Sequence, residues 1–257
     1  MKIIPIPCLS DNYSYLIICE KTGQAGVVDP AEFSPVWEKI HQQSIELVAI
    51  LNTHHHWDHV SGNTKLIDKI PGLKVYGHHS DQGRIPGQNV FLDDGDIVTI
   101  GNLEGHITFN PGHTTGAVSY YFEDAAFTGD TMFAGGCGRL FEGTAGQMYR
   151  SLNEKIGAHP SATKIYFGHE YTESNLQFAL SVEPGNQTLQ EKMTQVQEIR
   201  SKGGYTTPST LESEKQTNPF LRCDSTEIQE LFKQRKPQKE VTPIAVLKEI
   251  RLMKDSF

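Results

Sequence analysis

The chain has 257 residues, of which 37% are hydrophobic, and a formal net charge of −8 at pH 7. This length fits one large domain, or a core domain with a smaller one. The negative charge argues against a nucleic-acid partner, because proteins that bind nucleic acid generally do so through a basic surface. No apolar run approaches the roughly 20 residues that cross a bilayer. Four scattered cysteines without a CxxC pair predict neither a disulfide framework nor a thiolate zinc site, so we expect a reducing, cytoplasmic location.

Short strands and turns dominate the sequence up to about residue 172. Apolar and β-branched runs predict strands at 3–6, 13–19, 24–28, 47–51, 74–76, 97–100, 106–109, 118–122, 125–128 and 164–167. Helical periodicity predicts helices at 33–43, 64–70 and 146–156. Early hairpin-like strands followed by strand–helix alternation predict an α/β fold in which two sheets are covered by helices, a four-layer αββα sandwich.

The sequence becomes helical after about residue 173. We predict helices at 173–182, 186–202, 227–234 and 244–253, and another that opens within 206–211. Asp224, Ser225 and Thr226 offer N-cap side chains for the fourth helix in chain order, and Pro243 suits the first turn of the last one. We therefore divide the chain into a core domain, residues 1–172, and a helical domain, residues 173–257.

The densest set of candidate ligands is the heptapeptide Thr-His-His-His-Trp-Asp-His at 53–59, directly after an apolar strand. Side chains two positions apart in extended chain point the same way, so His54 and His56 can bind one ion. Asp58 and His59 lie where the chain turns away, and they can reach a second ion. Since divalent metals such as zinc take imidazole nitrogen and carboxylate oxygen, this segment predicts a metal site.

Three further candidates share one local context, in which a strand-like run and a glycine precede the ligand. They are His113, Asp130 and His169. Ligands at the same end of several strands converge on one cleft, where sites in layered α/β folds usually lie. We expect these three side chains to complete the metal site.

Other residues near these motifs receive structural interpretations. His55 falls on the opposite side of the alternation from His54, so we interpret it as a supporting residue, and Trp57 as packing beneath the loop. His78 and His79 follow a strand-like run, and we read them as surface or supporting residues.

The ligand pattern as a whole resembles the metal-binding motifs of the metallo-β-lactamase superfamily. The matching positions, in order and context, are His54, His56, Asp58, His59, His113, Asp130 and His169. The HxHxDH motif alone specifies only the superfamily. The resemblance implies the same αββα fold.

Four other segments narrow the resemblance to glyoxalase II, the hydroxyacylglutathione hydrolases. They are Gly-Arg-Leu-Phe-Glu-Gly-Thr at 138–144, Gly-His-Glu-Tyr-Thr at 168–172, Asn-Pro-Phe-Leu-Arg at 218–222 and the ending Arg-Leu-Met-Lys-Asp-Ser-Phe at 251–257. The resemblance covers essentially the whole chain. It implies a catalytic domain at 1–172 and a substrate-binding helical domain at 173–257.

The resemblance also implies how two divalent ions are held. One ion would take His54, His56 and His113, the second would take Asp58, His59 and His169, and Asp130 would bridge them. A bridging hydroxide would occupy the open position that a catalytic site needs, with Asp58 and Asp130 as the catalytic carboxylates. We expect zinc in both positions, with iron or manganese as alternatives.

Glutathione thioesters carry two carboxylates, for which Arg and Lys are natural partners. By resemblance, the substrate-binding positions are Arg139, Phe141, His169, Tyr171, Arg251 and Lys254. The common animal pattern has Lys in place of Arg139 and Tyr in place of Phe141. The first difference keeps the positive charge, whereas the second removes a hydroxyl and with it one hydrogen bond to glutathione.

The implied function is a thioesterase that hydrolyses S-(2-hydroxyacyl)glutathione. Its chief substrate would be S-D-lactoylglutathione, cleaved to glutathione and D-lactate in the second step of methylglyoxal detoxification. We expect a small-molecule substrate, no nucleic-acid or membrane partner, and a monomer. The alternatives are a lactonase or β-lactamase, a single-iron sulfur dioxygenase, a metal-dependent nuclease, and a non-catalytic glutathione- or metal-binding protein. The helical tail disfavours the first two, and the charge disfavours the nuclease.

Overall fold

The computed structural model describes residues 1–257. Its strands are β1 (Lys2–Cys8), β2 (Asn12–Ile18), β3 (Gln24–Val28), β4 (Glu46–Leu51), β5 (Lys74–His78), β6 (Val90–Leu92), β7 (Ile97–Ile100), β8 (Leu103–Phe109), β9 (Val118–Phe122), β10 (Ala125–Gly129), β11 (Met132–Phe133), β12 (Gly136–Cys137), β13 (Lys164–Phe167) and β14 (Ser209–Thr210). Its α-helices are α1 (Phe33–Gln43), α2 (Trp57–Val60), α3 (Asn63–Lys69), α4 (Ala145–Tyr149), α5 (Thr172–Val182), α6 (Gln187–Ser201), α7 (Leu211–Thr217), α8 (Thr226–Arg235) and α9 (Pro243–Asp255). No helix combines the length and apolarity that a membrane crossing requires.

The chain forms two compact units. The first contains Met1–Phe109, Gly116–Gly129 and Phe167–His169, and the second contains Asn110–Thr115, Asp130–Tyr166 and Glu170–Phe257. The predicted boundary between residues 172 and 173 stays a prediction.

The first unit contains a six-stranded sheet in the order β1-β2-β3-β4-β5-β6. Strands β1 to β3 are antiparallel, and β3 to β6 are parallel. Side chains of one sheet face, among them Leu16, Val27 and Val75, form one apolar core with Val36 of α1 and Leu66 of α3. Burial of this face is the main stabilising contribution to the unit.

Strands β7, β8, β9 and β10 are neighbours in that order and antiparallel in the same unit. Their inner face packs against the six-stranded sheet. The Tyr15 ring lies edge-on to Phe127 with centroids 5.6 Å apart, and the Tyr120 hydroxyl donates to the carbonyl oxygen of Asn52 at 2.7 Å. The prediction of two facing sheets with helices outside is confirmed.

The second unit is largely helical. Its regular pairs are β11 with β12 and β13 with β14, where Lys164 lies opposite Thr210. Helices α5 and α6 share an apolar cluster that includes Leu176 and Leu189. Side-chain caps define several helix starts, because Thr144, Asn186, Thr210, Ser225 and Thr242 each accept a first-turn backbone N–H. The predicted helical tail is confirmed.

The differences from prediction have local causes. The helix predicted to open within 206–211 does open there, at the last of these residues, Leu211, since Ser209 and Thr210 pair with β13 before Thr210 caps α7. The helix predicted at 146–156 is α-helical only through Tyr149 and continues as a π turn, Arg150–Lys155. The placement of Trp57 was wrong: it starts α2 and is 69% exposed.

Candidate metal centre

Asp29 organises the histidine-rich loop of the first unit. It follows β3 with a left-handed φ of 45° and is buried. Its Oδ1 accepts the Thr53 backbone N–H at 2.7 Å, and its Oδ2 accepts the Thr53 hydroxyl at 2.6 Å. The same Oδ2 lies 2.9 Å from His59 Nδ1. One carboxylate thus fixes both ends of the 53–59 segment.

Two histidines of the first unit present their Nε2 nitrogens to a common point. The Nε2 atoms of His59 and His169 lie 3.2 Å apart. Their Nδ1 atoms lie against carboxylates, those of Asp29 at 2.9 Å and Asp11 at 2.8 Å. A carboxylate on Nδ1 is the usual support for a metal-binding histidine, because it holds the ring and leaves Nε2 to bind. Asp58 Oδ2 lies 3.3 Å from His169 Nε2 and 3.6 Å from His59 Nε2.

The environment of Asp58 keeps its carboxylate charged. Burial acts to raise the pKa of this carboxyl, but the hydrogen bond with His169, the charge of His59 and the amide of Asn12 together hold the pKa well below its usual range. The Asn12 Nδ2 atom donates to Asp58 Oδ2 at 3.1 Å. The ionised form of a carboxyl group is the one that binds a metal. Asp58, His59 and His169 therefore fit a divalent cation.

His54 and His56 are brought together as the motif predicts. His54 Nε2 lies 3.1 Å from His56 Nδ1, and His54 Nδ1 lies 3.0 Å from the Thr53 hydroxyl. Thr53 itself packs against Gly129, whose φ of 48° and lack of a side chain permit the close approach. The second unit pairs His113 with Asp130, at 3.5 Å between Nε2 and Oδ2.

The backbone beside His113 holds its ring. His113 Nδ1 lies 2.9 Å from the carbonyl oxygen of Arg139, so it is the donor and Nε2 is left to bind. A side chain at Gly138 would collide with the Asp130 carbonyl oxygen and the His113 ring. The Gly-Arg of the 138–144 segment therefore has a structural role at the predicted ligands.

A cavity of about 600 Å³ in the second unit joins the predicted ligands to the predicted substrate contacts. Its lining includes His113, Asp130, Arg139, Phe141, Tyr171, Arg251, Lys254 and Asp255. The Phe141 ring packs edge-on to His113 with centroids 5.3 Å apart, and Tyr171 packs on Phe133 at 5.6 Å.

The three cations of this cavity differ in exposure. The Arg139 side chain is mostly exposed. Arg251 is only 5% exposed; it donates to the Cys137 carbonyl oxygen at 2.7 Å and to Asp255 at 3.2 Å. Lys254 donates to the Ser174 carbonyl oxygen at 3.0 Å. Burial lowers the pKa of Lys254 to about 8, and the charges of Arg251 and Arg139 act in the same direction.

The histidines interpreted as supporting residues have other partners. His55 Nδ1 lies 3.1 Å from the buried Asp81 carboxylate, and its ring also contacts Arg84. His78 is buried and stacks on Phe109 with centroids 4.1 Å apart. The sequence interpretation missed Asp11 and Asp29. Asp29 follows the predicted strand 24–28 directly, which is a signal that could have indicated it.

Two family models match the chain. The metallo-beta-lactamase superfamily model matches residues 10–169, and the model of the hydroxyacylglutathione hydrolase C-terminus matches residues 170–257. A hydroxyacylglutathione hydrolase of Synechocystis sp. is 47% identical over 264 residues and covers 100% of each chain. Another from Gloeothece citriformis is 51% identical over 232 residues, 88% of this chain and 90% of that one. The chain belongs to the hydroxyacylglutathione hydrolase family.

Solved structures of other proteins share the fold of this chain. The ETHE1 protein of Myxococcus xanthus has a TM-score of 0.68 at 24% identity and covers 98% of this chain and 99% of its own. The BLEG-1 B3 metallo-beta-lactamase has a TM-score of 0.65 at 22% identity, with 86% and 99% covered. The predicted family and the α/β sandwich are confirmed, and the His and Asp clusters of the family member support the use of divalent metal.

Proposed function

We propose that the protein is a thioesterase that hydrolyses S-(2-hydroxyacyl)glutathione, chiefly S-D-lactoylglutathione, to glutathione and D-lactate. This reaction would be the second step of methylglyoxal detoxification. The observation that carries the proposal is the cavity of the second unit, which combines His113 and Asp130 with Arg139, Arg251 and Lys254. Membership of the family and full-length similarity to its curated members support the same activity.

The proposed metal ligands follow the motif. His54, His56 and His113 would hold one divalent ion, Asp58, His59 and His169 a second, and Asp130 would contact both. We propose zinc for both positions, since the donor set is rich in imidazole and contains no thiolate. Bound ions would lower the pKa of a water molecule and stabilise the anion that forms when the thioester carbonyl is attacked.

The protein's own residues orient this centre before substrate arrives. Asp29 and Asp11 hold the His59 and His169 rings, and the carbonyl oxygen of Arg139 holds His113. Fixed ring orientation lowers the reorganisation needed at the reacting centre. Glutathione leaves as a thiolate, which is a good leaving group, so the reaction needs no dedicated general acid.

The cations of the cavity suit the non-reacting part of the substrate. Arg139 and Lys254 would bind glutathione carboxylates by charge-assisted hydrogen bonds, with Arg251, Tyr171 and Phe141 as further contacts. Phe141 covers the His113 ring, but it offers no hydroxyl to the peptide.

The test is a thioester assay and a metal analysis on the same purified sample. We expect loss of thioester absorbance with S-D-lactoylglutathione, no turnover of a lactone or a β-lactam, and two zinc ions per chain. A fully metal-loaded sample that leaves S-D-lactoylglutathione intact would overturn the proposed function. Iron or manganese in an active sample would correct only the metal.

A further inference from the structure

Asp255 is an unexpected anion within the cationic cavity. Only two acidic side chains line this cavity, those of Asp130 and Asp255, and the second has no place among the predicted metal ligands. Asp255 Oδ1 lies 3.2 Å from an Nη atom of Arg251 and 3.5 Å from Nε of Arg139. Its side chain is 37% exposed, so it remains accessible from the cavity.

The charge of Asp255 would weaken a site made only for carboxylates, because a like charge opposes anion binding. The glutathione arm carries two carboxylates and one ammonium group, the ammonium being on the α-carbon of the γ-glutamyl residue. The cavity offers both signs of charge: three cations, from Arg139, Arg251 and Lys254, and one carboxylate outside the predicted metal ligands, from Asp255. Cations for the substrate carboxylates and a carboxylate for the ammonium group make the two sets complementary in sign.

The position of Asp255 favours a cation further. It is the last residue of α9, a helix of 13 residues, and the carbonyl end of a helix carries partial negative charge. A carboxylate accepts about four hydrogen bonds, and Asp255 contacts only two guanidinium groups. Acceptor capacity therefore remains beside the groups that would bind a substrate carboxylate.

We propose that Asp255 is a specificity-determining residue that binds the α-ammonium group of the γ-glutamyl residue. The inference rests on the proposed thioesterase function and deepens it. The α-ammonium and α-carboxylate groups of the γ-glutamyl residue are attached to the same carbon. Asp255 would therefore bind the ammonium group while a neighbouring arginine binds the carboxylate. The site then selects thioesters whose thiol carries a free α-amino acid end.

The experiment compares two substrates and two proteins in a thermodynamic cycle. The substrates are S-D-lactoylglutathione and the same thioester of des-amino glutathione, in which glutaryl replaces γ-glutamyl. We expect the parent to have a kcat/KM about three- to tenfold lower on the des-amino thioester, a size set by a partly exposed charged contact. Asp255→Asn should lower kcat/KM on S-D-lactoylglutathione by that factor and kcat/KM on the des-amino thioester much less. For this variant the ratio of the two kcat/KM values should then approach 1.

Control variants separate recognition from structure. Asp255→Glu keeps the charge and should retain part of the preference, and it provides the test if the Asn variant unfolds. Glu191→Gln makes the same charge change on the exposed surface of α6 and should keep the full ratio. A parent that does not discriminate, or an Asn variant that loses both activities equally, would overturn the inference, since Asp255 would then only order the arginines. A metal-loaded parent that hydrolyses neither thioester would overturn the proposed function and this inference with it.

Discussion

The Nδ1 atom of His113 lies 2.9 Å from the carbonyl oxygen of Arg139, so a predicted metal ligand and a predicted substrate contact share one hydrogen bond. Two residues before Arg139, the carbonyl oxygen of Cys137 accepts a hydrogen bond from Arg251 at 2.7 Å. The guanidinium of α9 thus supports the backbone that orients His113. Substrate-binding and metal-binding residues are therefore mechanically connected in the second unit.

This connection predicts that Arg251→Ala is a stability change as well as a binding change. Arg251 is nearly fully buried, and its removal leaves the Cys137 carbonyl oxygen without this donor. We expect the free energy of unfolding to fall by about 2–3 kcal/mol, together with weaker metal retention. Thermal unfolding and metal content report the two effects, with exposed Lys233→Ala as control. A variant with the parent's stability and a raised KM alone would assign Arg251 to substrate binding only.

Asp29 is predicted to control metal affinity without binding metal. Asp29→Ala removes the acceptor of the Thr53 N–H, the Thr53 hydroxyl and His59 Nδ1. Loss of such support typically costs about 10–100-fold in metal affinity. Competition with a chromophoric chelator measures the loss, and Asp29→Asn, which keeps one acceptor oxygen, should fall between. Parent-like affinity in the Ala variant would show that the loop holds itself.

The sequence predicts the regular elements and the ligand motif well, and the supporting contacts poorly. Strands β3, β7, β9 and β13 have their predicted bounds, because apolar runs flanked by turn residues are local signals. Strands β11 and β12 have two residues each, which is too short for an alternation of apolar and polar residues to be detected. Asp11 and Asp29 support histidines that are distant in sequence, and only folding shows that proximity.

Sequence reasoning also could not predict whether two side chains, those of Trp57 and Arg251, are exposed or buried. Trp57 lies in the ligand motif but begins a short helix, which turns its ring to solvent. Arg251 fits the family's substrate-binding pattern, yet its burial and its bond to Cys137 depend on how α9 packs. Motif matching gives the position of such a residue but not how its donors are shared.

Asp130→Ala is predicted to abolish activity and release at least one metal ion, because Asp130 is the one side chain proposed to contact both. Its Oδ2 lies 3.5 Å from His113 Nε2. Elemental analysis after dialysis, paired with the thioester assay, gives both outcomes, and exposed Asp68→Ala on α3 is the matched control. Retention of two ions with a near-normal kcat would disprove the proposed bridge.

Lys254 is predicted to make substrate affinity depend on pH. Burial and the neighbouring arginines lower its pKa to about 8, and binding of a carboxylate would raise the pKa again in the complex. Affinity is therefore full below about pH 8, where Lys254 is charged, and falls as the pH rises above it. The KM for S-D-lactoylglutathione should increase above that pH while kcat changes less.

Two variants test this assignment. Lys254→Ala should raise KM about tenfold at neutral pH, as expected for a lost charge-assisted contact, and remove the rise above pH 8. Lys254→Arg keeps its charge to much higher pH, so it should bind substrate at neutral pH and also lack the alkaline rise. A small thioester without glutathione should show the same KM with all three proteins. If Lys254→Arg kept the parent's alkaline rise, the titrating group would be another residue and Lys254 would not bind the substrate carboxylate in its charged form.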